Sequence, residues 1–179
     1  MGIISVNQRL INGFTLLELI VTLAIVGITM SIAVPSLGFK VDENRVIGAA
    51  EQIYQDLLYA RSEAVKSNSD ITLSFTQNSS WCYGINATGV CDCGSAGSCT
   101  INGKNKTGSY EDYSNTSLTV SSNINGANFD PSRGVIEKTN SPVTGSITIT
   151  GVNVSATINM NVLGRPSICS NDFSKYPSC

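Results

Sequence analysis

Histidine is absent from the 179 residues. Its absence removes both the side chain most often used as a general base near neutral pH and the commonest metal ligand, which argues against acid–base and metal-dependent enzymes. Charge is scarce as well: Asp, Glu, Lys and Arg make up 13% of the chain, with 11 cations against 13 anions. Binding to a polyanion rests on cationic clusters that release counterions, and so even a balance gives no general pull toward nucleic acid or acidic lipid. No Gly-x-Ser-x-Gly elbow, phosphate loop or Cys-x-x-Cys pair occurs, so the usual signatures of hydrolase, nucleotide and zinc-ribbon chemistry are missing.

What is present is unevenly distributed. Residues 14–34 are almost wholly apolar, whereas the chain after Ser67 is crowded with Ser, Thr, Asn and Gly. The length suits one core-forming unit, with a helical front and a strand-and-loop back. The apolar run carries one charge, Glu18, and at the helical rise it covers about 30 Å, the thickness of a bilayer's hydrocarbon core. A secretory signal peptide is the competing reading, with Arg9 as its charged region. The run is longer than such peptides use, and no small-x-small site follows it before Pro35. A lone carboxylate in lipid costs a few kcal/mol, so Glu18 marks a functional contact. Were the chain cut between Gly13 and Phe14, the new amine would lie four residues from Glu18, and a neighbouring subunit's amine could pair with that acid in one register only.

Gly13-Phe14-Thr15-Leu16-Leu17-Glu18-Leu19 resembles the leader motif of type IV pilins and pseudopilins. The resemblance implies that a prepilin peptidase removes residues 1–13, cutting between Gly13 and Phe14 and methylating Phe14. It implies that Glu18 docks on an adjacent amine during assembly, and that residues 14–35 form a transmembrane and filament-core helix. Without residues 1–13, which hold Arg9 and no acid, the side chains sum to 10 minus 13, or −3. Pro35 matches a proline that pilin helices carry at this distance, and a simple kink where the helix leaves the membrane fits it equally.

Beyond Pro35, Val46, Ala50, Ile53, Leu57, Ala60 and Ala64 recur at steps of three and four, predicting an amphipathic helix over 36–68. Glu43, Arg45, Glu51, Asp56, Glu63 and Lys66 are assigned to its solvent side, and Ser67-Asn68-Ser69-Asp70 to its stop. Residues 69–179 read as a disulfide-stapled β-rich domain, with strands near 71–75, 81–85, 118–120, 134–136, 147–149 and 156–160. The fold class is therefore α+β: a long N-terminal helix packed on an antiparallel sheet, or two. Trp81 is assigned to the core.

Six cysteines, Cys82, Cys91, Cys93, Cys99, Cys169 and Cys179, follow the apolar run. In an exported chain an even count points to disulfides. Cys91 and Cys93 are too close to suit one another, so one or both reach Cys82 or Cys99, and Cys169 with Cys179 closes a C-terminal loop. Zinc held by Cys91, Cys93 and Cys99 is the weaker alternative, and no metal or cofactor is assigned. Gly89 to Tyr113 reads as an exposed loop pinned by these bonds.

Leu57-Leu58-Tyr59-Ala60-Arg61-Ser62-Glu63-Ala64-Val65-Lys66, then Trp81, Phe129-Asp130-Pro131-Ser132-Arg133-Gly134 and Gly164-Arg165, resemble the GspH/FimT group of minor pilins and pseudopilins. The resemblance implies a minor pilin in the tip or priming complex of a type IV pilus, with other pilins and an inner-membrane assembly platform as partners. The subunit would sit in the inner membrane before assembly and on the cell-surface pilus afterwards. The alternatives are an H-type pseudopilin of a type II secretion system and a DNA receptor for uptake. Some DNA-binding members carry Gly-Arg-x-Arg, but here the stretch is Gly164-Arg165-Pro166-Ser167, without the second arginine. Lys104, Lys106 and Arg165 are the remaining candidate DNA contacts, and a solvated loop is the better explanation of the two lysines.

Overall fold

The computed structural model describes residues 14–179, apart from the side chains of residues 32–37. The chain divides into two units, Met1–Gly38 and Phe39–Cys179. One helix, α1 (Leu16–Ser67), begins in the first unit and ends in the second. Thr15 caps its start: the Glu18 amide donates to Thr15 Oγ1 at 3.2 Å, which satisfies one of the donors a helix start leaves unpaired. Its end is an αL stop, with Asn68 at φ 50° and the Ser69 amide on the Ala64 carbonyl.

Twelve strands follow among the described residues: β1 (Ile71–Thr76), β2 (Cys82–Asn86), β3 (Thr100–Ile101), β4 (Lys104–Asn105), β5 (Thr107–Ser109), β6 (Ser117–Val120), β7 (Asn128–Phe129), β8 (Ile136–Lys138), β9 (Ser141–Pro142), β10 (Gly145–Thr150), β11 (Ser155–Met160) and β12 (Pro166–Cys169). They form a six-stranded sheet ordered β5-β2-β1-β7-β8-β9, a four-stranded sheet ordered β12-β11-β10-β6, and the β3–β4 hairpin. The pairings are antiparallel. A bridge from Asn78 to Leu118 joins the segment after β1 to the edge strand β6.

The core lies between the second half of α1 and these sheets. Val46, Ala50, Ile53, Leu57, Ala60 and Ala64, the periodic face expected from the sequence, are all buried, and Ala49 with them. Four of the seven are alanines, which lets the backbone of the helix come close to the strands. Ile147 and Ile149 of β10 and Ala156, Ile158 and Met160 of β11 supply the opposing side in strict alternation. Trp81 is buried, donates from Nε1 to Thr116 Oγ1 at 3.0 Å, and stacks on Tyr113.

Two expectations change. Glu63, assigned to solvent, is 5% exposed, because Asn102 Nδ2 donates to it at 2.6 Å and removes the cost of burying the carboxylate. Asp56 turns inward for the same reason, accepting from Tyr83 Oη at 2.7 Å and Lys106 Nζ at 3.1 Å. Nor is the segment after Gly89 a plain exposed loop. It covers the outer face of β1 and β2, burying Cys99 and Ile101, and the Cys91 amide donates to Ser74 Oγ. Gly84 leaves room for it: a Cβ there would lie 2.8 Å from the Cys99 Cβ.

Candidate functional site

The N-terminal segment and the outer surface of the second unit carry the residues that the sequence singled out. Phe14 precedes the helix cap, and Glu18 sits in the first turn of α1, where the exposed amides of a helix start favour a negative charge. Both are exposed. Every large apolar side chain from Leu16 to Met30 is exposed too, from Leu16 at 79% to Val26 at 45%. A helix with apolar side chains on all sides needs an apolar surrounding, and among the described residues of this unit nothing supplies one. Among the described residues no helix is long and apolar enough to cross a membrane; the predicted span over 14–35 runs into residues 32–37, whose side chains are not described. Gly13 and the leader 1–13 lie outside the described residues, as does the side chain of Pro35.

The cysteines form three bonds: Cys82–Cys93, Cys91–Cys99 and Cys169–Cys179. The first two interlock across the cover on β1–β2. The third closes a loop that returns to the helix, where Lys175 Nζ and Tyr176 Oη both donate to Glu51 Oε1. Lys175, then Tyr176, hold the Glu51 carboxyl below its ordinary range. Burial, and after it the charge of Asp56, pushes the Tyr83 phenol far up, so Tyr83 stays protonated and works as a donor. Among the described residues no cluster of His, Cys, Asp or Glu could hold a metal.

The three candidate DNA contacts do not share one environment. Lys104 is exposed on β4. Lys106 is 30% exposed, paired with Asp56, and lies 4.5 Å from the centre of the Tyr59 ring. Arg165 is exposed in the β11–β12 turn, where its amide donates to Asn161 Oδ1.

The turn containing Arg165 belongs to a junction that spacing alone could not reveal. Arg61 Nε donates to the Gly134 carbonyl at 2.8 Å, and a Cβ on Gly164 would come within 2.5 Å of that same oxygen. Gly134 and Gly164 both sit at positive φ, 62° and 67°, a conformation open to glycine. Asp130 shapes the first of these turns by accepting from the Ser132 hydroxyl at 2.8 Å and the Arg133 amide at 2.7 Å. The Ser132 hydroxyl, followed by Arg133, lowers its carboxyl to about 2. Three separate stretches thus converge: the helix end around Arg61, the 129–134 turn and Gly164-Arg165. Their convergence gives the residue pattern an architectural reason.

Residues 49–164, more than half of the chain, match the family model described as type II transport protein GspH. The chain belongs to the GspH family. Residues 9–34 of this GspH-family protein match the prokaryotic N-terminal methylation motif. It is a pilin-like subunit of the minor pilin or pseudopilin kind, from a type IV pilus or a type II secretion system. Its fold is α+β, a helix packed on antiparallel sheet. The crystal structure of the type IV minor pilin FimU from Pseudomonas aeruginosa (strain PAO1) is similar at 19% identity with a TM-score of 0.47, over 68% of this chain and 90% of that one. None of the curated proteins is significantly similar to it. The family is one of structural subunits rather than enzymes.

Proposed function

We propose that this GspH-family protein is a minor pilin that joins the tip or priming complex of a type IV pilus. A prepilin peptidase cuts between Gly13 and Phe14 and methylates Phe14; residues 14–35 then anchor the subunit in the inner membrane and later enter the filament core. Residues 36–68 continue as the amphipathic helix that carries the β-rich head, residues 69–179. The observation that carries this reading is the predominantly apolar, exposed helix surface from Leu16 to Ser31 with a single carboxylate, Glu18, in its first turn. Lipid supplies the apolar surrounding before assembly, and neighbouring helices supply it afterwards. Glu18 is tolerated there because an adjoining subunit's amine supplies its counter-charge, at a cost otherwise of about 3 kcal/mol.

The test is incorporation of a Glu18→Ala variant into filaments. A loss of at least tenfold supports the docking role, and wild-type incorporation refutes it. Replacing Gly13 should leave an uncut precursor in the membrane, and normal processing of that variant would overturn the cleavage assignment.

The H-type pseudopilin reading is favoured by the type II description of the family model. Secretion of type II substrates in a deletion strain separates the two: a secretion block with normal pili selects the pseudopilin. The DNA-receptor reading depends on Lys104, Lys106 and Arg165. Gel-shift titration of the protein decides it: micromolar binding that weakens steeply with salt supports a receptor, and no binding at low salt removes it.

A further inference from the structure

The β10–β11 hairpin ends in a tip that hides its amides and displays a valine. Val152 is 71% exposed. Its amide donates to both oxygens of Asp42 at 3.0 Å, and the Asn153 amide donates to Asp42 Oδ2 at 3.0 Å. The Gly151 amide is taken by the Val154 carbonyl at 2.8 Å. Three consecutive backbone donors are therefore satisfied inside the protein, which meets the donor half of the condition for a loop to enter a poorly hydrating surrounding. The tip is pressed hard on the helix: a Cβ on Gly151 would lie 2.5 Å from Asp42 Oδ1 and 2.8 Å from Val46 Cγ2.

We propose that this tip, with Phe39, is a lipid contact that rests in the headgroup layer of the membrane. The inference rests on the reading of residues 14–35 as a membrane anchor. Phe39 precedes Asp42 by three residues, so both lie on one helix face, and Phe39 is 45% exposed. Asp42 also leans toward the start of its helix, as helical side chains do, which sets the tip level with the turn that contains Phe39. Only four residues of chain separate Phe39 from Val34, the end of the apolar run, so the tip is tethered close to the bilayer surface whatever the direction of the chain there.

The charges at this end suit the same surface. Lys40, with its side chain 67% exposed, its amine paired with Glu43 at 2.6 Å and 6.0 Å from the Phe39 ring centre, can lay its stem on apolar matter and keep that ion pair at the level of the phosphates. Lys40 and Arg45 balance Asp42 and Glu43, so an anionic bilayer meets no net repulsion.

The experiment is methyl NMR of the full chain in nanodiscs of phosphatidylcholine and phosphatidylglycerol doped with a nitroxide-headgroup lipid. Val90, 72% exposed and placed on the disulfide-bonded cover, is the internal control for exposure. Broadening of the Val152 methyls several-fold beyond those of Val90, together with broadening of the Phe39 ring protons in the same samples that lessens in a Val152→Asp variant, supports the contact. Equal broadening of Val152 and Val90 in a chain that co-floats with vesicles overturns it and leaves the anchor reading standing. A chain that fails to co-float overturns both. Protection of Val152 only in assembled filaments, without lipid broadening, assigns the tip to a neighbouring subunit and refutes the lipid contact.

Discussion

Replacing Asp42 by alanine tests how the head is fastened to its helix. The carboxylate is 5% exposed and receives the amides of Val152 and Asn153, 110 and 111 residues away. A hydrogen bond to a charged group contributes about 1.5–3 kcal/mol, and partial rehydration of the freed tip amides lowers the sum of two such bonds to roughly 2–4 kcal/mol. For a cooperative unit the size of residues 39–179, that corresponds to a fall in Tm of roughly 7–14 °C. The assay is thermal and urea unfolding of the full chain in detergent, with Lys40→Ala as reference. Lys40 makes an exposed i,i+3 pair with Glu43, and its loss should cost less than about 0.5 kcal/mol. An Asp42→Ala variant as stable as Lys40→Ala would refute the fastening argument.

Other outcomes follow from the same geometry. Asp130 is held at about 2, below the ordinary carboxylate value, so its contribution is complete above about pH 4 and disappears as pH falls through 2; the stability gap between wild type and Asp130→Asn should narrow over that window, and a constant gap would contradict it. Gly164→Ala, which places a methyl group 2.5 Å from the Gly134 carbonyl at φ 67°, should lower stability by roughly 2–4 kcal/mol in urea titrations. Each disulfide closes a short loop worth about 2.5–3 kcal/mol, and a nonreduced digest should return the Cys82–Cys93, Cys91–Cys99 and Cys169–Cys179 peptides with no alkylated thiol. Filament incorporation of Glu18→Ala should fall at least tenfold.

The apolar face of α1 was legible because the step from Val46 to Ala64 is a property of neighbouring residues alone. So were the longer strands: β1, β10 and β11 each run six residues and alternate or pack fully. The shorter ones were not, since β7 and β9 have two residues each and exist only through their partners; Pro142 even argues against a strand except at an edge, which is where β9 lies. The β3–β4 turn did carry a usable signal, Asn102-Gly103, both at positive φ. Polar residues on a helix could not be sorted by period. Asp56 and Glu63 read as solvent-facing until the donors Tyr83, Lys106 and Asn102 are brought to them. Lys106 read as a candidate phosphate contact for the same reason, its partner being fifty residues distant.

The acids along the second half of α1 are answered late in the chain. Asp56 waits for Tyr83 and Lys106, Glu63 for Asn102, Asp42 for Val152 and Asn153, and Glu51 for Lys175 and Tyr176. An emerging polypeptide therefore delivers its helix first and the last of these partners, Tyr176, 125 residues after the acid it meets. Until then the alanine-lined stripe stays wet and adhesive, and maturation follows the slow regime of distant contacts. The head is thus finished only when the loop closed by Cys169 and Cys179 has come back to the helix and set Lys175 and Tyr176 on Glu51.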